Sequence, residues 1–406
     1  VACLAGETIV AVGIRDCPFQ SEDCTLCCSV SRALSQILYP EVTVHAAVLI
    51  EPGRPMEVED VDLAPPQDDE VVIGMAASGV CHSCLHTFDG SWTGFPMPIV
   101  LGDEGAGIVE DVGSNVKGLK PGDHVVLSWA PSCGQCHYCV TGRSVLCEKT
   151  VPVRGALFDG TTRMSMKGKP IYHYGHVASY ASHSVVPESC AIPIREDMDL
   201  KKAALIGCSV MTGVGAVLNT AQVPAGASMA VFGVGGIGLN CIQGGGLAAA
   251  NPIIAVDVVS EKFEYAKQLG ATHCINAAED DPVEAIKDIT GRGADYAFVA
   301  VGVADVVKQA WECLAPAGTS VLIGLPPTGA TVTFDTGSLQ AGEKVMRGCT
   351  YGSARVRDDF PRMVELYMAG KLKIDELISR EYGIEESNEA FKDLAAGELA
   401  RGLIVF

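Results

Sequence analysis

A chain of 406 residues exceeds one comfortable hydrophobic core, and 48% hydrophobic against 19% charged residues describes a globular protein, not a disordered one. Its 49 acidic and 29 basic residues leave a formal charge of −20, which argues against nucleic acid and anionic membrane surfaces as partners. The 17 cysteines would suggest a disulfide scaffold in a short secreted chain. Here no signal-peptide pattern is present and the best-spaced cysteines read as metal ligands, so a reducing, cytoplasmic setting is expected.

Residues 1–44 hold Cys3, Cys17, Cys24, Cys27 and Cys28 with weak periodicity. Cys24 and Cys27 have metal-ligand spacing but lack a second pair, and arginines are too few for a transit peptide, so the segment reads as an extension of unknown role. From His45 the pattern is orderly. Strands are predicted over Ala46–Ile50, Met56–Val61, Glu70–Ala76 and Val109–Val116, and the turn Lys120-Pro121-Gly122-Asp123 leads into another over His124–Leu127. Short strands punctuated by Gly and Pro predict a mostly β, barrel-like domain. Between Ala203 and Val256 no residue is charged, a length that could cross a bilayer. Glycines, Pro224 and Pro252 interrupt it, and a buried core is the expectation.

Beyond Gly207 the rhythm turns to alternation. Strands are predicted over Ser228–Phe232, Ile253–Val256, Asp295–Val299 and Ser320–Ile323, with helices from Gly238 and over Ser260–Leu269, the latter stopped by Gly270. Such an α/β order predicts a doubly wound parallel sheet. Asp358–Phe406 reads as helical with a closing strand over Leu403–Phe406 that returns to the first domain. The expected division is an extension at 1–44, a β-rich domain made of 45–209 and 350–406, and a nucleotide-binding domain at 210–349.

Two motifs carry chemistry. Cys133, Cys136, Cys139 and Cys147 are spaced C-x2-C-x2-C-x7-C in a loop opened by Pro131 and Gly134, which lets four thiolates converge on one zinc. Four sulfur ligands leave no open position, so that metal is structural. Gly233-Val234-Gly235-Gly236-Ile237-Gly238 fits G-x-G-x-x-G between a predicted strand and a predicted helix, and Asp257 ends the next strand. Gly233, Gly235 and Gly238 let the backbone approach a pyrophosphate at a helix N-terminus. Asp257 can accept from the adenosine ribose hydroxyls and repel a 2′-phosphate, which predicts NAD over NADP. Gly244-Gly245-Gly246 in the same helix costs about 1 kcal/mol per glycine relative to alanine, for no reason visible in the sequence.

From His45 to Phe406 the chain resembles the zinc-containing alcohol dehydrogenases of the medium-chain dehydrogenase/reductase superfamily. The resemblance rests on Gly79-Val80-Cys81-His82-Ser83, Gly102-Asp103-Glu104-Gly105-Ala106-Gly107, the four-cysteine loop, Gly207-Cys208, the glycine fingerprint and Arg401. Asp159-Gly160-Thr161 and Gly168-Lys169-Pro170-Ile171 resemble the branch that includes the dimeric liver-type enzymes and their formaldehyde-oxidising relatives. The resemblance implies a GroES-like catalytic domain beside a Rossmann domain, NAD, two zinc ions per chain, and small alcohols and aldehydes as substrates. It also implies pairing of the nucleotide-binding domains through edge strands, in a homodimer or a homotetramer.

Cys81 and Cys208 match two ligands of a second, catalytic zinc in that family. Asp103 stands where most relatives have histidine. A carboxylate binds zinc at a distance like that of imidazole, but two thiolates and a carboxylate leave the site one charge more negative. That predicts a more alkaline optimum, which Asp103→His should move toward acid. Glu104 matches an acid behind the zinc. Ser83 matches the hydroxyl that first takes the alcohol proton, and His86 the surface histidine that takes it last through the cofactor ribose. Hydride passes from the carbinol carbon to the nicotinamide.

His82 and Arg401 match pyrophosphate contacts, Lys262 a ribose contact, and Thr212 and Ile237 the packing around the nicotinamide. Trp92 and Trp129 match pocket-lining positions, and two indoles suit small primary or benzylic alcohols. Trp92 stands where glutathione-dependent formaldehyde dehydrogenases carry a polar, acidic residue, which argues against a glutathione adduct. Two rival readings remain: a zinc-poor NAD(P)H-dependent carbonyl or alkene reductase of the same fold, favoured by Asp103, and a dinucleotide-binding protein without turnover.

Overall fold

The structure is a computed structural model that describes residues 42–150, 154–327, 329–397 and 399–406, together with the backbone of two strands nearer the start. The chain divides into two units, Val1–Thr43 and Val44–Phe406. In the first, Ala2–Ala5 pairs antiparallel with Thr8–Ala11. Cys17, Cys24, Cys27 and Cys28 lie outside the described residues.

From Val42 onward the described chain is organised by three sheets. Val42–Leu49, Glu57–Leu63, Ile99–Val100, Met164–Met166 and Lys169–His173 close into a barrel. Strand periodicity puts Val44, Ala46 and Val48 on one buried face. A second sheet runs in the order Ala191–Pro193, His124–Leu127, Gly105–Val112, Glu70–Val80, Arg401–Val405, Ile378–Tyr382, and His183–Pro187 also pairs with Glu70–Val80. The closing strand thus returns to the β-rich part, antiparallel to Glu70–Val80. The third sheet is fully parallel: His273–Asn276, Ile253–Asp257, Met229–Phe232, Ala294–Val299, Leu314–Leu322, Val345–Gly348. Its strand order reverses beside Met229–Phe232, the doubly wound arrangement whose ligand crevice opens at the strand ends there. Both the β-rich barrel and the doubly wound sheet agree with the sequence reading.

Three expectations shift. The strand expected over Val109–Val116 is Gly105–Val112. A Cβ at Gly107 would stand 2.1 Å from the Gly74 carbonyl oxygen, so the strands approach only because a glycine stands there, and that glycine weakens the strand pattern in the sequence. The helical stretch from Asp358 is broken into Val356–Met368 and Ser387–Ala396 by the edge strand Ile378–Tyr382. The strand at Ser320 starts earlier, at Leu314.

The uncharged stretch is core. Its helices Ser209–Gly215 and Gly236–Leu247 are largely buried, and among the described residues no single helix is long and apolar enough to cross a membrane. Gly244-Gly245-Gly246 now has a partial account. In helix Gly236–Leu247 a Cβ at Gly244 would lie 3.0 Å from Val217 Cβ, and one at Gly245 would lie 2.4 Å from Met229 Sδ. Both face tight contacts, whereas Gly246 faces open space.

Candidate active site

Two groups of acidic side chains among the described residues have metal-holding geometry. In the loop, Cys133 and Cys139 have sulfurs 4.0 Å apart, as do Cys136 and Cys147. Tetrahedral zinc–sulfur bonds of ~2.3 Å place two sulfurs about 3.8 Å apart, whereas a disulfide needs ~2.05 Å. Backbone amides of Gln135 and Cys136 point at the Cys133 sulfur and hold its thiol down to about 6, favouring the thiolate a metal needs.

The second group is Cys81, Asp103 and Cys208, all buried, with ligand atoms within 4.8 Å of one another. Cys81 follows strand Glu70–Val80 and is the N-cap of helix His82–Phe88. Asp103 follows strand Ile99–Val100, and Cys208 precedes helix Ser209–Gly215. The two sulfurs lie 3.8 Å apart, the separation a shared tetrahedral ion requires, and Cys208 Sγ lies 4.0 Å from Asp103 Oδ2. Burial and the neighbouring Cys81 push the Asp103 carboxyl up to about 8. The Cys81 thiol is held well below the usual range by its contact with Cys208, while the Cys208 thiol is pushed up by Cys81 and burial. Three buried acids cannot all ionise so close together without a cation, so the donor set fits a divalent metal in chemistry as well as spacing.

Ser83 Oγ, two residues after Cys81, donates to Asp103 Oδ2 at 2.6 Å and lies 3.1 Å from Cys81 Sγ. His86, one turn on, has its ring 6.4 Å from His82 and 6.0 Å from Trp92, and its Nδ1 is buried with no hydrogen-bond partner among the described residues. Burial lowers the His82 imidazole below its usual range, so it is neutral near pH 7. Glu104 is turned away from the metal group. One of its carboxylate oxygens accepts from Ser209 N at 2.8 Å and Ser209 Oγ at 2.7 Å, and the other forms a buried ion pair with Arg401.

The glycine turn lies at the end of strand Met229–Phe232. Gly233 has φ +91°, a backbone that other residues rarely adopt, and a Cβ at Gly238 would stand 1.8 Å from the Gly233 carbonyl oxygen. Gly235 instead faces open space, as a backbone that receives a pyrophosphate must. Asp257 Oδ2 accepts from Val234 N at 2.7 Å and Oδ1 from Val259 N at 3.0 Å, with Lys262 Nζ 4.0 Å away. Arg401 runs beneath the turn, since a Cβ at Gly236 would lie 2.5 Å from its Cδ.

One cavity of about 760 Å³ joins these parts. Cys81, Asp103 and Cys208 line one region, with Ser83, His82 and His86 beside them. Gly233, Gly235, Ile237, Asp257, Lys262 and Arg401 line another, and Thr212 also faces the cavity. Trp92 and Trp129 are both in its wall. Of the residues singled out from sequence around the second metal group and the glycine turn, Glu104 and Gly238 alone do not line it; they stand behind its surface.

The wall also contains residues that sequence reasoning missed. Phe95 and Tyr174 pack at 5.1 Å, and the Arg154 guanidinium stands 5.3 Å from the Phe95 ring. Tyr351 stacks on Trp129 at 4.4 Å and donates its hydroxyl to the Gly207 carbonyl, next to Cys208. Cys84, missed although it repeats a C-x-x-C spacing from Cys81, has its sulfur 3.6 Å from Asp103 Oδ1.

Comparison with known proteins agrees with this geometry. The family model described as alcohol dehydrogenase GroES-like domain matches residues 67–196, and that described as zinc-binding dehydrogenase matches 236–369. An alcohol dehydrogenase class-3 of Cereibacter sphaeroides is 40% identical over 374 residues, covering 89% of this chain and 99% of its own. The chain belongs to the zinc-containing alcohol dehydrogenases. An S-(hydroxymethyl)glutathione dehydrogenase of Paracoccus denitrificans is 39% identical over 373 residues, again covering 89% of this chain and 99% of its own. A solved benzyl alcohol dehydrogenase from Acinetobacter calcoaceticus superposes with a TM-score of 0.86 at 34% identity, covering 90% of this chain and 99% of that one. An alcohol dehydrogenase zinc-binding domain protein from Burkholderia ambifaria gives 0.87 at 36% identity over the same shares. As a member of this family the protein is an oxidoreductase that uses NAD and zinc.

Proposed function

We propose that this zinc alcohol dehydrogenase oxidises primary or benzylic alcohols to aldehydes, reversibly, with NAD. The observation that carries the reading is a single cavity with the Cys81, Asp103 and Cys208 donors, the Asp257 glycine turn and an aromatic wall between its parts. Cys81, Asp103 and Cys208 would hold a zinc that supplies Lewis-acid polarisation of the alcohol, and the glycine turn would hold the NAD that serves as hydride acceptor.

The chain's own residues do the rest. Trp92 and Trp129 hold the apolar part of the alcohol and exclude water. Ser83 Oγ stands beside the donor set, where it would take the alcohol proton as its own hydroxyl proton passes on toward His86 and solvent. Asp257 and Lys262 hold the adenosine ribose, and the negative charge of Asp257 disfavours a 2′-phosphate. The amides of the turn at Gly233, Gly235 and Gly238 meet the pyrophosphate with Arg401 and His82. Thr212 and Ile237 pack the nicotinamide. Glu104 keeps Arg401 in place through their ion pair, a role nearer to positioning than to contact with the metal. Cys133, Cys136, Cys139 and Cys147 hold the structural zinc. The exposed parallel edge at Val345–Gly348 suits pairing of two chains, and a cytoplasmic homodimer is part of the same reading.

A second reading has specific support. Arg154, at the cavity wall, donates to the Thr93 carbonyl and has no carboxylate partner among the described residues, and one relative above is named for a glutathione adduct of formaldehyde. A cation there suits an anionic adduct. The test is the rate of NAD reduction with benzyl alcohol, ethanol and S-(hydroxymethyl)glutathione. Turnover of benzyl alcohol with none of the adduct supports the first reading. Preference for the adduct, lost in Arg154→Ala, replaces it with the second.

A further inference from the structure

An aspartate in a metal site raises a difficulty that histidine does not. A neutral imidazole offers one nitrogen, whereas a carboxylate has two oxygens and can chelate. With Cys81 and Cys208 as sulfur ligands, a chelating Asp103 fills the tetrahedral set and closes the position an alcohol needs.

Both oxygens are already occupied in this chain, and by neighbours in sequence. Ser83 Oγ donates to Oδ2 at 2.6 Å, and Oδ2 is also the oxygen 4.0 Å from Cys208 Sγ. Cys84 Sγ lies on the other oxygen, Oδ1, at 3.6 Å. Cys81, Ser83 and Cys84 occupy the N-cap and first turn of one short helix, so the turn that supplies a ligand also addresses each oxygen of the next. Cys84 is fully buried, packed among apolar residues, and offers Oδ1 an S–H donor where water has no access. A carboxylate pinned at Oδ1 presents only Oδ2 to the two sulfurs.

We propose that Cys84 is a positioning residue for the catalytic metal: its thiol holds Asp103 Oδ1, making the aspartate a one-oxygen ligand and keeping one coordination position open. This rests on the reading of Asp103 as a zinc ligand. Groups that orient metal ligands change metal affinity by about 10–100-fold when removed. A cysteine that merely filled the core would leave the metal indifferent to its replacement.

The experiment compares the full-length protein with Cys84→Ala and Cys84→Ser in zinc retention against a chelator and in the visible spectrum after cobalt(II) replaces the catalytic zinc. Circular dichroism checks that each variant is folded. The four-cysteine zinc serves as the internal reference. Cys84→Ala should change the retention of the catalytic metal by about 10–100-fold. Its cobalt bands should shift as the carboxylate swings to chelate and takes the position that the wild type keeps open. Cys84→Ser, which keeps a donor on a shorter arm, should stay close to wild type in both. Equal retention and equal spectra in all three proteins, or equal loss in both variants, overturns the proposal while leaving Asp103 a ligand. Wild-type protein with a single zinc overturns the ligand reading itself.

Discussion

In the proposed function, cofactor choice turns on Asp257. Its carboxylate accepts from Val234 N at 2.7 Å and Val259 N at 3.0 Å, so it is fixed before any ribose arrives. Hydrogen bonds to a charged group are worth about 1.5–3 kcal/mol each, so Asp257→Ser should lower kcat/KM for NAD by about 10–100-fold. It should lower it much less for NADP, because the repulsion of a 2′-phosphate goes with the charge. Steady-state kinetics with both cofactors checks this, and an unchanged ratio would show that the carboxylate does not meet the ribose. His173 sets a different property. Its Nε2 accepts from Arg163 N at 3.0 Å, and burial with the nearby Arg163 charge lowers its pKa to about 3. The unfolded chain binds this proton near pH 6.5, the native state only near 3, so the native state is the poorer proton binder between them. The stability is therefore fully present above pH 6.5 and is lost as pH falls, by up to about 1.4 kcal/mol per unit. His176, lowered to about 4 by burial, acts in the same direction. Denaturant titrations from pH 7 to 4 should show this slope, flattened in His173→Gln, which keeps an acceptor but cannot charge.

At the scale of elements, the helix pair Ser209–Gly215 and Gly236–Leu247 couples the metal group to the glycine turn, since Cys208 precedes one helix and Gly235 caps the other. Their approach depends on glycine. A Cβ at Gly213 would stand 2.5 Å from Asn240 Cβ and from the Ile237 carbonyl oxygen. Gly213→Ala should therefore destabilise by about 1–3 kcal/mol, whereas Gly246→Ala, facing open space, should stabilise by up to about 1 kcal/mol. Thermal unfolding of the two variants checks the opposite signs. The same packing explains what the sequence could and could not convey. The four-cysteine loop and the glycine turn with Asp257 are legible because their parts are local and their spacing is set by one ion or one pyrophosphate. The four inner parallel strands are legible because they are largely apolar runs, whereas the edge strands His273–Asn276 and Val345–Gly348 are short and partly polar and were not read. Strand Gly105–Val112 was displaced in the reading because Gly107, needed for contact with Gly74, carries no strand propensity. Ile378–Tyr382 was hidden because an exposed edge strand holding Arg380 and Glu381 reads as a helix surface.

Across the whole molecule the active cavity is an assembly of distant segments. Trp92 and Phe95 reach it from one loop and Tyr174 and Tyr351 from two short helical turns, and no local pattern marks Phe95 or Tyr351 as wall residues. Cys81, Asp103 and Cys208 come from three elements brought together by the barrel, the second sheet and the helix that follows. Only family resemblance could group them from sequence, and the 3.8 Å sulfur separation is what turns the grouping into a metal site. The substitution of aspartate for histidine is therefore the point on which the account depends. Elemental analysis of zinc per chain, in wild type and in Asp103→Asn, tests it most directly. The account predicts two zinc ions per wild-type chain and one in the variant, the remaining ion lost only when the four-cysteine loop is also disrupted. A wild-type chain with a single zinc, unchanged by Asp103→Asn, would contradict alcohol oxidation at a metal held by Cys81, Asp103 and Cys208.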